Sequence, residues 1–258
     1  MAATVFYLTP LPDVGGTAVL DGKEGHHAAT VRRIRVGERI LLSDGAGGLA
    51  DTVVTSVGRD RLEMAVTSRS EASRPAPTVG LVQALPKADR SELSVELATE
   101  AGIDSIVPWQ SARCVARWEG AKAVKGVTRW RAVAVAASKQ SRRPFVPDVL
   151  DLHDTAGVVE LVRSVVARGG IVAVLHEAAT AEFSSLPFRD VSEALLVVGP
   201  EGGIDDKEIV RLTDAGATAV MLGPTVLRTS TAAAVALGAI GAITDRWAQA
   251  PLDSGSPE

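Results

Sequence analysis

Two glycine-rich turns, each directly after a short apolar stretch, constrain the fold of this chain more than any other feature of its sequence. Residues 195–198 run into the Gly-Pro-Glu-Gly-Gly turn at 199–203, and residues 219–222 run into a second turn at 223–231. The apolar stretches predict buried strands. Since ligands bind at the carboxyl ends of the strands in open α/β sheets, the sequence predicts two ligand-binding turns at one sheet edge.

Each of the two turns is predicted to lead into a helix. Asp205 followed by Glu208 has the spacing of a capping box and marks the start of the helix after the first turn. Thr229 or Ser230 is suited to cap the alanine-rich helix predicted over 231–244. Both turns therefore present free backbone N–H groups near the strand ends.

The chemistry of the first turn argues against a polyphosphate ligand. Helix starts attract phosphate, but the sequence has neither Gly-Lys-Ser/Thr nor Gly-x-Gly-x-x-Gly, and Glu201 adds a negative charge. A third strand, predicted over 171–175, leads to His176 and Glu177 and supplies a third wall. Glu177 and Glu201 are candidates for binding ribose hydroxyls or an amino group. His176 is more simply interpreted as a packed histidine bonded to backbone.

The composition is that of an ordinary globular protein. With 258 residues and 46% hydrophobic residues, the chain can form one large domain or two modest ones. Its single cysteine, Cys114, excludes an internal disulfide and is typical of a reducing compartment. The adjacent His26 and His27 cannot both face one metal ion, so we predict no metal site. Gly238 and Gly241 interrupt the last apolar run, and we expect a cytoplasmic protein without membrane spans.

The charge is unevenly distributed along the chain. The net charge is −4, yet residues 110–143 contain nine basic residues and one acid, Glu119, which gives this segment +8. A charge run of this kind is either a solvated helix face or a surface for a nucleic-acid backbone. Both interpretations stay open from the charge pattern alone.

The first 70 residues differ in pattern from the rest. Short apolar stretches separated by turn dipeptides predict a small β-barrel, with strands over 5–8, 17–20, 39–42, 49–57 and 61–66. Only residues 26–33 are predicted to be helical. Arg32, Arg33 and Arg35 crowd the end of that helix and are candidate RNA contacts.

A proline-containing linker at 71–77 separates this region from an alternation of strands and helices, which is typical of a parallel α/β sheet. Further strands are predicted over 79–84 and 105–108, and further helices over 91–101, 124–141 and 156–168. We therefore place the domains at 1–72 and 73–249. Residues 250–258 are predicted to be a flexible tail.

Four motifs resemble the RsmE family of small-subunit ribosomal RNA methyltransferases in the SPOUT superfamily. They are Val-Val-Gly-Pro-Glu-Gly-Gly-Ile (197–204), Leu-Gly-Pro-Thr-Val-Leu-Arg-Thr-Ser-Thr-Ala (222–232), Leu-His-Glu (175–177) and Ser-Lys-Gln-Ser (138–141). The N-terminal region, with His26-His27, Arg32-Arg33 and paired glycines at 47–48, is similar to the PUA-like barrel of that family. The resemblance covers nearly the whole chain.

The resemblance implies both a fold and an activity. The fold is α/β: a C-terminal SPOUT domain with a deep trefoil knot over about 171–245, preceded by a PUA-like β-barrel. The activity is S-adenosylmethionine-dependent methylation of N3 of one uridine in 16S ribosomal RNA, which gives N3-methyluridine. The implied substrate is the RNA within the small ribosomal subunit, and the implied state is a homodimer.

The resemblance also implies roles for particular residues. Cofactor contacts are expected at Leu175, His176, Glu177, Gly199, Pro200, Glu201, Gly202, Gly203, Leu222, Gly223, Leu227, Arg228, Thr229 and Ser230. Arg228 is the first candidate for orienting the uracil, and Glu201 for a base or cofactor contact. The alternative for Arg228 is a loop-shaping salt bridge to Glu201 or Glu177. RNA contacts are expected at Arg32, Arg33, Arg35, Arg113, Arg129, Lys139 and Arg142.

The chain departs from the family pattern at three positions. The family commonly has Glu at Ser230, Arg at Thr225 and Lys at Leu97. The first two touch the expected cofactor loop. Two other functions therefore stay open: a non-catalytic RNA-binding or ribosome-assembly factor, and an α/β enzyme that acts on a phosphorylated substrate.

Overall fold

The computed structural model describes residues 5–248 and Leu252, which form two compact units. The first unit contains residues 5–74 and 139–146, and the second contains 75–138 and 147–248. The domain limits 1–72 and 73–249 stay a prediction. The expected tail, 250–258, lies outside the described residues apart from Leu252, which packs against Leu41 and Leu49.

The first unit is built on a five-stranded sheet. Its strands are β1 (Val5–Tyr7), β2 (Thr17–Leu20), β3 (Arg39–Ser43), β4 (Gly48–Gly58) and β5 (Arg61–Glu71). Their order is β1-β3-β4-β5-β2, and each pairing except the parallel β1–β3 pair is antiparallel. Alternate side chains of β5, such as Leu62, Met64 and Val66, are buried in the core, as a half-buried strand requires. All five predicted strands are present.

The helical segment of the first unit begins earlier than the sequence predicts. Helix α1 covers Gly22–His26 and continues into a π-helical turn at His27–Val31, instead of 26–33. His26 Nδ1 lies 2.8 Å from Asp60 Oδ1, which also accepts a hydrogen bond from the Thr30 hydroxyl at 2.9 Å. Both bonds hold the pKa of the Asp60 carboxyl below its usual value, and the bond to His26 has the larger effect. His26 thereby joins the helix to the β4–β5 turn.

Residues 139–146 complete the first unit from far along the chain. Phe145 forms a β-bridge with Ala46, and the Gly47 N–H donates to the Pro144 carbonyl at 3.0 Å. Gly47 has a φ of +111°, and a Cβ there would lie 2.5 Å from the Phe145 ring. Only glycine fits this position, because it needs both the backbone conformation and the space.

The second unit contains a seven-stranded parallel sheet, as the alternating pattern predicts. Its strands are β6 (Thr78–Ala84), β7 (Ser105–Trp109), β8 (Asp148–Val149), β9 (Ile171–Leu175), β10 (Ala181–Glu182), β11 (Glu193–Val198) and β12 (Thr218–Met221). The order is β10-β12-β9-β11-β6-β7-β8, and every pairing is parallel. Central β11 is therefore flanked by β9 and β6. The carboxyl ends of β9, β11 and β12 share one edge.

Five α-helices alternate with the strands of this sheet along the described part of the second unit. They are α2 (Ala88–Glu100), α3 (Ala121–Gln140), α4 (Thr155–Ala167), α5 (Asp206–Asp214) and α6 (Thr229–Ile243). Short 3₁₀ turns lie at Phe183–Ser185 and Asp245–Trp247. The deep trefoil knot over about 171–245 stays a prediction. Across the described part of the chain, no helix combines the length and apolar character needed to cross a membrane.

The helix-capping predictions have different outcomes. The capping box is confirmed: Asp205 accepts from the Lys207 N–H at 3.0 Å, and Glu208 accepts from the Asp205 N–H. Capping of α6 by Thr229 or Ser230 is wrong, because α6 begins at Thr229 and the N-cap residue is Arg228. Both hydroxyl residues are buried inside the first helical turn instead.

Candidate active site

The loops at the carboxyl ends of β9, β11 and β12 enclose a cleft of about 750 Å³. This volume lies in the range typical of small-molecule sites. Of the residues expected to contact a cofactor, all but Ser230 line the cleft: Leu175, His176, Glu177, Gly199, Pro200, Glu201, Gly202, Gly203, Leu222, Gly223, Leu227, Arg228 and Thr229. Ser230 is 1% exposed, and its hydroxyl has no hydrogen-bond partner among the described residues.

The two glycine turns differ in how tightly they pack. The first turn is closed by a hydrogen bond from the Gly203 N–H to the Pro200 carbonyl at 2.9 Å. A Cβ on Gly199 would lie 2.6 Å from the Ile204 side chain, so this glycine allows close packing inside the turn. At Gly223 a Cβ would meet nothing within 4 Å. The second turn therefore leaves open space where a ligand can approach the backbone.

A buried hydrogen-bond chain connects the two turns. The Thr229 hydroxyl donates to the Gly199 carbonyl at 2.7 Å and accepts from Gln83 Nε2 at 2.9 Å. Gln83 is fully buried at the end of β6, where it pairs in register with Val198 of β11. Thr229 thus fixes the start of α6 against the first turn, which explains why it does not cap its own helix.

The Thr229→Val variant is expected to weaken this connection. It removes the hydroxyl that bonds the Gly199 carbonyl and leaves Gln83 Nε2 with only its bond to the Ala84 carbonyl, and such a loss costs about 1–3 kcal/mol of unfolding free energy. Urea unfolding measures this change, and calorimetry should show weaker S-adenosylmethionine binding. Thr229→Ser is the matched control, since it keeps the hydroxyl. Equal loss in both variants would contradict the hydrogen-bond explanation.

The charged residues of the cleft have distinct environments. Glu201 Oε1 accepts the Lys87 backbone N–H at 3.1 Å, at the N-terminus of α2. The positive end of the helix dipole favours a carboxylate at this position. Arg228 is exposed and forms no ion pair with any other residue that the structure describes. The loop-shaping salt bridge to Glu201 or Glu177 is therefore wrong.

His176 is bonded to backbone, as expected from its position. Its backbone N–H donates to the Val220 carbonyl at 3.0 Å, and its ring atom Nδ1 accepts from the Ala178 backbone N–H at 3.3 Å. His176 also lines the cleft.

The structure adds two segments to the cleft, after β6 and after β7, that sequence reasoning did not place there. Lys87 and Arg90, after β6, line the cleft, and so does Arg113, after β7. Arg113 also pairs with Asp205 at 3.2 Å. The sequence feature that could have indicated this role is the position of Lys87, shortly after the predicted strand 79–84. The sequence contained no sign that this strand lies beside β11.

The expected RNA contacts are divided between the two units. In the first unit, Arg32, Arg33, Arg35 and Arg142 are exposed, and Lys139 pairs with Glu24 at 2.6 Å. In the second unit, Arg113 lines the cleft and Arg129 pairs with Glu92 at 2.6 Å. Part of the basic run is thus engaged by acidic partners. RNA binding by these seven residues stays a prediction.

Comparison with known proteins identifies the class. A family model described as an RNA methyltransferase domain matches residues 73–241, and one described as an RNA methyltransferase PUA domain matches residues 20–66. Fold and cleft are thus those of an RNA methyltransferase with an N-terminal PUA domain. The α/β methyltransferase domain and the N-terminal PUA domain of the predicted fold are confirmed.

Individual relatives identify the family. The ribosomal RNA small subunit methyltransferase E of Mycobacterium bovis is 55% identical over 247 residues, covering 96% of this chain and 94% of that protein. The Bacillus subtilis protein of the same name is 34% identical over 240 residues, covering 89% and 91%. The chain belongs to the family of ribosomal RNA small subunit methyltransferase E.

A solved structure of the same family has the same fold. The crystal structure of ribosomal RNA small subunit methyltransferase E from Neisseria gonorrhoeae, bound to S-adenosyl methionine, is similar with a TM-score of 0.82 and 27% sequence identity. The match covers 94% of this chain and 98% of that chain. It extends over both units.

Proposed function

We propose that this chain is an S-adenosylmethionine-dependent methyltransferase that methylates N3 of a uridine in small-subunit ribosomal RNA. The observation that carries the proposal is the cleft at the ends of β9, β11 and β12, in a chain whose relative from Neisseria gonorrhoeae was solved with S-adenosyl methionine. The names of the relatives support small-subunit ribosomal RNA as the substrate. The choice of uridine N3 is the finer part of the proposal.

The cleft residues fit this cofactor. Leu175, Leu222 and Leu227 supply apolar surface for an adenine, and the open side of Gly223 allows close approach to backbone. Glu177 supplies a carboxylate for ribose hydroxyls or for the amino group of the methionine part. When bound, S-adenosylmethionine supplies a methyl group that its sulfonium has already activated.

The residues of the chain must align the uracil and handle one proton. The N3 imide is a weak acid and is not nucleophilic while it carries its proton. The Arg228 guanidinium is available to bind a uracil carbonyl oxygen and to stabilise the negative charge that develops there. Glu201 is the candidate acceptor for the N3 proton, and its bond to the Lys87 N–H fixes its carboxylate beside the first turn.

The decisive experiment is mass spectrometry of small-subunit ribosomal RNA from a deletion strain. We expect the loss of one methyl group on one uridine, restored by the wild-type chain and not by Arg228→Ala. Unchanged methylation in the deletion strain would remove the proposal. Modification of a different base or of a ribose would retain a methyltransferase and overturn the N3 assignment.

Two of the departures from the family pattern are compatible with catalysis. Ser230 is buried and does not line the cleft, while Thr225 lines it without filling it. No described feature thus favours a non-catalytic binding factor over an enzyme. Calorimetry discriminates the two, because an assembly factor that has lost catalysis would bind RNA but would not bind S-adenosylmethionine.

We further propose a homodimer that acts on the small subunit in the cytoplasm. Helix α6 carries Val235, which is 47% exposed, and Trp247, 56% exposed, packs over Gly241 of the same helix. Exposed apolar surface of this kind is suited to a subunit interface. Sedimentation should give a dimer for the wild type and a monomer for Val235→Glu. A monomeric wild type would contradict the dimer.

A further inference from the structure

The sheet order divides the cleft into two sides of different chemistry. The loops after β9 and β12 lie on one side of β11, and the loops after β6 and β7 lie on the other. On the β9 and β12 side the lining is mainly apolar side chains and backbone. The lining residues that follow β6 and β7 are Lys87, Arg90 in the first turn of α2, and Arg113, all of them cationic.

These three cations are poorly suited to the cofactor. S-adenosylmethionine brings a sulfonium and an ammonium group and only one carboxylate, so cations repel most of its charge. An RNA nucleotide, in contrast, carries a phosphate on each side of its sugar. A uridine whose base enters the cleft brings these phosphates to the cleft mouth, where cations bind them.

Two of the three residues lie directly beside the first turn. The Lys87 N–H is bonded to Glu201 in the first turn, and the Arg113 carbonyl oxygen would lie 3.4 Å from a Cβ on Gly202. The Arg113 guanidinium keeps further donors after pairing with Asp205, since it has five N–H groups. Lys87 is exposed and forms no ion pair within the described residues.

The chain then leads away from the cleft through more exposed cations. Arg117, Lys122 and Lys125 follow Arg113, and all three are exposed. The basic charge that begins at the cleft therefore continues towards and into the first turns of α3. An RNA strand has a path along this segment of the second unit.

We propose that Lys87, together with Arg90 and Arg113, binds the phosphates that flank the target uridine and so holds its base in the cleft. This inference rests on the proposed function, because it assumes an RNA substrate. Lys87 acts here as a substrate-binding residue that determines RNA affinity, and it contributes nothing to cofactor affinity. The β9 and β12 side binds the cofactor.

The test uses the full-length Lys87→Gln variant with unmodified small-subunit ribosomal RNA, both as naked transcript and in small subunits from a deletion strain. One lost phosphate contact on a single strand lowers the slope of log affinity against log salt by about 0.7, and this corresponds to roughly fourfold weaker binding at 0.15 M salt. Filter binding measures both quantities. Calorimetry should give the wild-type affinity for S-adenosylmethionine, and KM for RNA should rise with little change in kcat.

The matched control is Arg189→Gln. Arg189 is exposed in the loop before β11, at the opposite edge of the sheet from the cleft, so its loss should leave the salt slope unchanged. An unchanged slope for Lys87→Gln, or weaker S-adenosylmethionine binding instead of weaker RNA binding, would overturn the proposal. If the wild type binds RNA with the expected Lys87 dependence but transfers no methyl group, the proposed function fails and the phosphate site stands.

Discussion

The Arg228→Ala variant is expected to fold normally and to lose most methyl transfer, with kcat lowered by about 10²- to 10³-fold. This is the typical effect of removing one donor that stabilises charge developing in the transition state. Arg228 lines the cleft, is exposed and has no acidic partner among the described residues, so its removal leaves no buried charge behind. Transfer of a labelled methyl group at saturating cofactor and RNA measures kcat directly.

Two controls separate catalysis from binding in this experiment. Arg228→Lys keeps the positive charge and should therefore retain part of the activity. The loss should be partial because the Lys ammonium cannot reproduce the paired hydrogen bonds of the planar Arg guanidinium. Arg189→Ala should be fully active, since its side chain lies at the other edge of the sheet. Full activity of Arg228→Ala would exclude it from the chemistry, and an equal loss in Arg228→Ala and Arg189→Ala would indicate a general defect.

The parts of the site that the sequence predicted are those controlled by local structure. A strand followed by glycines, and a capping box whose two residues are three positions apart, depend on neighbours in sequence. Asp205 and Glu208 could therefore be assigned without a structure. The third wall at His176 and Glu177 could also be predicted, because every strand of a parallel sheet ends at the same edge.

The parts that could not be predicted depend on strand order and on distant packing. Gln83 lies in β6 and Lys87 follows it, more than 100 residues before β11 in the chain, and no periodicity shows that β6 and β11 are neighbours. The role of Thr229 was misjudged for the same reason, since its partners lie on other elements. Likewise, nothing in the local pattern of residues 139–146 indicates that they pack in the first unit.

The largest effect on stability is expected at Arg246, in the 3₁₀ turn after α6. Arg246 is 4% exposed, pairs with Asp104 at 2.8 Å, and donates to the Pro77 and Gly102 carbonyls. Asp104 also accepts the Val79 N–H at 2.7 Å. One buried guanidinium thus joins the end of the described second unit to the start of its first strand and to the loop after α2.

The Arg246→Met variant keeps the length of the side chain but leaves Asp104 as a buried carboxylate without its guanidinium. Removing one partner of a buried pair costs about 3–5 kcal/mol, so the urea midpoint should fall strongly. The matched control is Arg163→Met, which breaks the exposed pair with Glu160 and should cost about 0–1 kcal/mol.

Replacing both buried partners at once tests the cause of the Arg246 effect. Arg246→Met with Asp104→Leu removes the uncompensated charge, and such exchanges of a buried pair for apolar residues are often neutral or stabilising. We therefore expect the double variant to recover most of the lost stability. If it is as unstable as Arg246→Met alone, hydrogen bonds and not the buried charge set the stability, because the bonds to Pro77 and Gly102 are lost in both variants and the double variant also loses the bond from the Val79 N–H to Asp104.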